Sequence, residues 1–271
     1  MSALFFFGSM GFMEPYDFIV AKVQEAGDIL LAARDAGFET NTKKGDARDI
    51  VTSVDIAVND FLKKEITTAF PGDSIYSEEG GAATASARLW IIDPIDGSAN
   101  FSRGIPHFAI CAGIMEAGVP VLGVVFNPVT HEMFSFKKGG GAFLNGKPIQ
   151  VSTIAELKDA QIFLHAGRKP EGWQWGGDSY RKLLEHARKT TNLASSSLDT
   201  CFVAAGRAQG NIYGTLSTLD IAPALGILYE AGGVASNSKG EPLTYSEEPQ
   251  RIYMANNQPM LDQLRTLLES N

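Results

Sequence analysis

The chain has 271 residues, 44% hydrophobic and 20% charged, a globular composition that excludes wholesale disorder. Its 31 acidic residues against 23 basic ones leave a formal net charge of −8, which argues against gripping nucleic acid or an anionic membrane through clustered Lys and Arg. That acidity has two readings: a solvated coat spread over the surface, or a local cluster that waits for cations.

Residues 1–13 (Met-Ser-Ala-Leu-Phe-Phe-Phe-Gly-Ser-Met-Gly-Phe-Met) are apolar, with no Lys or Arg ahead of the run. The run is too short for an ordinary signal-peptide core and far too short to span a bilayer, so it is read as an N-terminal extension outside the fold. The length suits two packed halves, and the change of pattern near residue 155 divides the rest into 14–155 and 156–271. The two cysteines, Cys111 and Cys201, both sit in apolar runs, the usage of a reduced, cytoplasmic protein.

A first helix is expected over 15–36, where Ile19, Val23, Ala26, Leu30 and Ala33 recur at spacings of 4, 3, 4 and 3 and Gly37 ends the run. A second is expected over 49–69, with Val54, Val58, Phe61, Leu62 and Ile66 on one face and Phe70-Pro71-Gly72-Asp73 as its breaker. Strand-like runs follow at 74–77, 89–93, 108–115, 119–126, 132–136 and 141–144, with Asn145-Gly146 a hairpin-turn signal. Strands and turns without interleaved helices point to an antiparallel sheet, so this half reads as α+β. Beyond it, a strand at 161–165 precedes a Gly- and Trp-rich loop at 171–177 and a helix at 178–189. Further helices are expected at 197–205, 219–231 and 258–269, and strands near 211–215 and 251–255.

The chemistry concentrates after the apolar strand Leu89-Trp-Ile-Ile92, which delivers Asp93 at its C-terminal end. Pro94 stiffens the exit, Asp96 follows three residues on, and Gly97 permits a sharp turn and a close approach of backbone to ligand. Ser98 then opens a helical turn whose free N–H groups suit an anion. Carboxylates beside anion-accepting amides repel a shared ligand unless a cation lies between them, which implies a hard divalent ion, Mg2+ first, held by oxygen. Glu78 and Glu79 form a second acidic pair after a strand. Neighbours on a strand point to opposite sides, so one would face a metal and the other would polarise a water or sit behind. Asp55, among the apolar positions of the second helix, turns to solvent by default or else faces a charged site. Asp220, at the start of an apolar helix, is explained by an N-cap role alone. The four histidines are scattered, and His107, after Ile-Pro, reads as a packed strand residue.

Taken together, Asp49-Ile-Val-Thr-Ser-Val-Asp55, Ser77-Glu-Glu-Gly80, Trp90-Ile-Ile-Asp-Pro-Ile-Asp-Gly-Ser-Ala-Asn-Phe101, Leu219-Asp-Ile-Ala-Pro-Ala224 and Ile227-Leu-Tyr-Glu-Ala-Gly-Gly233 resemble the inositol monophosphatase family of Mg2+-dependent phosphatases, which stands with the fructose-1,6-bisphosphatases and bisphosphate nucleotidases. The resemblance covers residues 15–270. It implies a layered α/β/α/β/α sandwich of the sugar-phosphatase type and two or three Mg2+ ions. Glu78, Asp93 and the Ile95 carbonyl would hold one ion, and Asp93, Asp96 and Asp220 a second. Glu79 or Asp55 would help a weaker third through waters. Asp55 with Ser98, where the family usually has Thr, would orient and deprotonate the attacking water, and the Gly97 and Ser98 amides would hold the phosphate. Lys44 matches a basic position near the site. The resemblance further implies direct attack by water on a phosphate monoester, inhibition by Li+ and a homodimer. The six carboxylates named would account for six of the eight net negative charges.

Substrate choice in that family lies in the second half, where this sequence departs from it. Leu219-Asp220 replaces a frequent Trp-Asp, and Tyr213 stands where a Glu often binds an inositol hydroxyl. Ser195 and Ser196 align with small residues that contact the polyol, as does Asp96. Inositol 1-phosphate is the first reading. A broader sugar phosphatase that includes fructose 1,6-bisphosphate is the alternative, followed by a bisphosphate nucleotidase, which is disfavoured because Asn100-Phe101 lacks the Lys that such relatives tend to show after the Asp-Gly element. A binding role with the transcription machinery, as in some bacterial relatives, is the reading from a different class.

Overall fold

The computed structural model describes residues 14–42, 50–80, 86–167 and 170–270; the extension at 1–13 and the basic position Lys44 lie outside them. Helix α1 (Pro15–Ala36) buries Phe18, Ile19, Val23, Ala26 and Leu30 along one stripe, as its spacing requires. Helix α2 (Ser53–Ala69) starts later than its pattern suggests. Strand β2 (Ile50–Thr52) pairs antiparallel with β1 (Thr40–Thr42), and Thr52 then caps the helix. The Thr52 hydroxyl accepts from the Val54 and Asp55 amides while the Asp55 carboxylate accepts from the Thr52 amide at 2.7 Å, a reciprocal capping box.

Both helices pack on one face of a seven-stranded sheet whose spatial order follows the chain. Its strands are β3 (Ser74–Ser77), β4 (Arg88–Asp96), β5 (Ala109–Glu116), β6 (Val119–Asn127), β7 (Glu132–Lys137), β8 (Gly141–Leu144) and β9 (Lys147–Ile149). All neighbours pair antiparallel except β3 and β4, which run parallel, so the antiparallel expectation fails at that edge alone. Alternation sorts the strands: Ile110, Ala112, Ile114 and Val124 face α1 and α2, while Cys111, Val125, Phe134 and Phe136 face the other way. The turn helix α3 (Ser98–Phe101) follows β4 directly.

A second, five-stranded sheet is built from β10 (Gln161–His165), β11 (Lys189–Thr191), β12 (Gly210–Leu216), β13 (Val234–Asn237) and β14 (Gln250–Ala255), in the order β11-β10-β12-β14-β13. Helices α4 (Pro170–His186) and α7 (Gln258–Glu269) pack on its outer face, and α5 (Ser196–Ala204) and α6 (Ala222–Glu230) lie between the two sheets. The layers are therefore helices, sheet, helices, sheet, helices, the expected α/β/α/β/α sandwich. Middle-layer position explains why α6 is apolar all round, with Ala222 through Leu228 buried.

Three local expectations are corrected. The stretch 171–177 is helix, not loop, because its glycines secure a close approach. A Cβ on Gly172 would stand 2.3 Å from the Ala166 carbonyl oxygen, and one on Gly176 would stand 2.2 Å from Ala166 Cβ. That helix ends at His186, and 189–191 pairs as β11. Helix α6 begins at Ala222 and not near 219, since Thr218 is committed to a turn, donating to the Thr244 carbonyl at 2.8 Å and accepting from the Ser246 amide at 2.8 Å.

Candidate active site

Because β3 and β4 are parallel, both deliver their C-terminal ends to the same edge of the sheet. Ser77 closes β3, and Glu78 and Glu79 occupy the turn just beyond it, so the alternating-strand reading of that pair does not apply. The Glu78 amide donates to the Ile92 carbonyl at 3.3 Å and the Glu79 amide to Ser77 Oγ at 3.3 Å. On β4, Asp93 pairs with Cys111 and Asp96 with Ala109, three residues of one strand against two of the other. This bulge offsets the alternation that would send residues three apart to opposite faces. Gly97 takes φ 94°, in the left-handed region, and its backbone lies against the carbonyls of His107 and Ala194, which a Cβ would meet at 3.1 and 3.3 Å.

The carboxylates converge around Asp93. Its Oδ1 accepts from the Ile95 amide at 3.0 Å. Burial first, and then the negative charges of Glu78, Asp96, Asp220 and Asp55, hold its pKa well above the ordinary carboxylate value. Asp55 is only 1% exposed, which corrects the default reading that it turns to solvent. Burial pushes its pKa up to about 6 against the opposing bonds from Thr52, and Glu79 adds to the rise. Ser98 Oγ lies 2.8 Å from the Ile95 carbonyl and 3.2 Å from Asp55 Oδ1, linking the two. Asp220 is not an N-cap: Ile221 holds that position of α6. Asp220 sits in the preceding turn, where Tyr76 Oη donates to it at 3.4 Å.

Asp96 is held by α5. The Ser195 and Ser196 hydroxyls and the Ser196 and Ser197 amides all donate to its two oxygens, the amides at 3.0 and 2.8 Å. These bonds oppose the rise in its pKa that burial causes. Tyr213, on β12, stacks on His165 with ring centroids 4.1 Å apart and an interplanar angle of 7°. His107 lies just ahead of β5, not within a strand, and meets Asp199 at 2.8 Å.

The sequence reading missed Tyr76, Ser197, Asp199 and His165. Asp199 alone carried a local signal, an acidic residue inside the apolar run Leu198-Asp-Thr-Cys-Phe-Val203. Among the described residues, no three carboxylates, imidazoles or thiols stand close enough to hold one ion. Compatibility with a metal therefore rests on the donor chemistry: buried carboxylate and carbonyl oxygens whose charges oppose one another.

The inositol monophosphatase family model matches residues 13–270. An inositol-1-monophosphatase of Rhizobium meliloti is 36% identical over 230 residues, covering 82% of this chain and 85% of that protein. A fructose-1,6-bisphosphatase/inositol-1-monophosphatase of Thermotoga maritima is 33% identical over 229 residues, covering 84% and 87%. The crystal structure of the extragenic suppressor protein suhB from Bartonella henselae superposes with a TM-score of 0.87 at 27% identity, covering 94% of this chain and 98% of that one.

Proposed function

The chain belongs to the inositol monophosphatase family of phosphatases, and on that premise we propose that it hydrolyses a small phosphorylated polyol, inositol 1-phosphate first, with Mg2+ as cofactor. The observation that carries this reading is the gathering of Asp55, Glu78, Asp96 and Asp220 around Asp93, next to the left-handed turn at Gly97. Oxygen donors of this kind suit a hard divalent cation. Glu78, Asp93 and the Ile95 carbonyl would hold one Mg2+; Asp93, Asp96 and Asp220, which stand too far apart to share an ion without it, would be drawn together by a second; and Glu79 would serve a third. When bound, Mg2+ supplies Lewis acidity at the phosphoryl group and lowers the pKa of water.

The chain's own residues do the rest. Asp55, with Ser98 Oγ at 3.2 Å, orients the attacking water and takes its proton. The Gly97 and Ser98 amides hold the phosphate, and Asp96, Ser195, Ser196 and Tyr213 face the polyol. Lys44 is proposed as a basic contributor on the family resemblance alone. A Tyr in place of a carboxylate at 213 weakens the grip on a ring hydroxyl, which leaves fructose 1,6-bisphosphate as the competing substrate. Family membership is also the ground for proposing a homodimer, sensitivity to Li+ and a cytoplasmic location.

The test is a rate comparison on inositol 1-phosphate, fructose 1,6-bisphosphate and adenosine 3′,5′-bisphosphate, with and without Mg2+. The reading expects the first to lead and all turnover to need the metal. A dominant rate on the adenosine compound would make the protein a nucleotidase. Full complementation of a deletion phenotype by Asp93→Asn would assign a binding role in place of catalysis.

A further inference from the structure

The first turn of α5 grips Asp96 with four donors, and a helix end can fix a carboxylate only as firmly as the helix itself is held. The backbone leading into that turn is not relaxed, since Ala194 takes φ 64°, a region that alanine disfavours. Four residues after Ser195, Asp199 is fully buried within α5, among Leu198, Cys201 and Val203. Its Oδ1 lies 2.8 Å from His107 Nε2 and its Oδ2 lies 2.9 Å from His165 Nε2. A carboxylate only accepts, so both rings place a proton on Nε2. His107 belongs to the segment that joins α3 to β5 in the first sheet, and His165 is the last residue of β10 in the second. One side chain thus ties the middle-layer helix to both sheets. Asn100 reinforces the same junction, its Nδ2 donating to the His107 and Leu193 carbonyls at 2.8 Å each.

We propose that Asp199 is a positioning residue for the site: bound by His107 and His165, it sets the place of α5 from which Ser195, Ser196 and Ser197 hold Asp96. The proposal rests on reading Asp96 as a metal ligand. It differs from mere packing in what it predicts: the metal affinity of the site depends on hydrogen bonds made behind it, by residues that touch neither metal nor substrate.

The full chain is titrated with Mg2+ by calorimetry, and amide exchange is followed at Ser196 and Ser197. Asp199→Ala is expected to weaken Mg2+ binding by about 10- to 100-fold, the effect typical of removing a partner behind a metal ligand, and to speed exchange at both amides. His107→Ala should shift both in the same direction, and His107→Gln, which retains an N–H donor, should recover most of the loss. A folded Asp199→Ala protein with unchanged Mg2+ affinity overturns the proposal. If that variant does not fold, His107→Ala and His165→Ala carry the test, and unaltered affinity in both overturns it. A wild-type chain that binds no Mg2+ overturns the metal reading instead; exchange at Ser196 and Ser197 then decides the role of Asp199 by itself, and unchanged exchange overturns it.

Discussion

Asp55 is a carboxyl held at the edge of ionisation. Its folded pKa of about 6 exceeds the ordinary 3.8, so the folded chain binds this proton more tightly than the unfolded chain does. Its contribution to stability is therefore present below about pH 4 and is lost as pH rises through about 6, a swing of about 3 kcal/mol without bound ions. Asp55→Asn, which keeps an acceptor for the Thr52 amide, should remove that swing and leave the chelator-treated protein more stable than wild type at pH 7. Urea unfolding at pH 4.5 and 7 measures this, and a less stable variant at pH 7 contradicts it. Asp93 follows the same logic more strongly, since four like charges oppose its ionisation. Asp93→Asn should abolish Mg2+-dependent hydrolysis while raising the unfolding temperature of the ion-free protein. A fall in both would mean that Asp93 serves the fold.

Among the elements, α2 and α6 each make one close contact whose contribution can be isolated by substitution. The capping box at Thr52 starts α2 and also aims Asp55, so the residue that ends strand β2 supports both helix and site. Thr52→Ala should cost about 1–2 kcal/mol in chemical denaturation, and Thr52→Ser, which keeps the hydroxyl, should restore most of it. Helix α6 lies so close to the first sheet that a Cβ on Gly226 would come within 2.0 Å of Phe136 Cζ. Phe136 is itself fully buried and has no room to yield. Gly226→Ala should thus destabilise by about 1–3 kcal/mol or more, and combining it with Phe136→Leu should cost less than the two changes summed. Strict additivity would show that the contact is not what limits the approach of α6.

At the scale of the whole molecule, the candidate site exists only where the layers meet. The first sheet contributes Asp93 and Asp96, the helices on its outer face Asp55, and the middle layer both the grip of α5 and the turn that carries Asp220. Tyr76 on β3 reaches Asp220 across 144 positions of sequence. A ligand bound by groups from several layers stabilises all of them together by mass action. Mg2+ should therefore raise one cooperative unfolding transition, followed by calorimetry, and Asp220→Asn should reduce that rise. Two transitions, of which Mg2+ moves only one, would place the ion within a single layer.

Much of this protein was legible locally. Helix α1, strands β3, β8 and β10, and helix α7 have the bounds that hydrophobic period and breaker residues predict. The run from Asp93 to Ser98 announced a turn dense in carboxylates and suited to a cation. Such features depend on residues within a few positions of one another, which one stretch of chain contains entirely. Other features were decided only by packing. The 171–177 stretch packs as helix where Gly172 and Gly176 lie against Ala166, and Asp55 became buried because α2 docks on the first sheet. Asp220 faces the site because its turn precedes the cap of α6. The grip of α5 on Asp96 joins residues about one hundred positions apart, and Asp199 joins two histidines that sequence alone left scattered. Propensity and spacing specify what a segment can form; which carboxylates lose water, and what they meet when they do, follows only once the layers close.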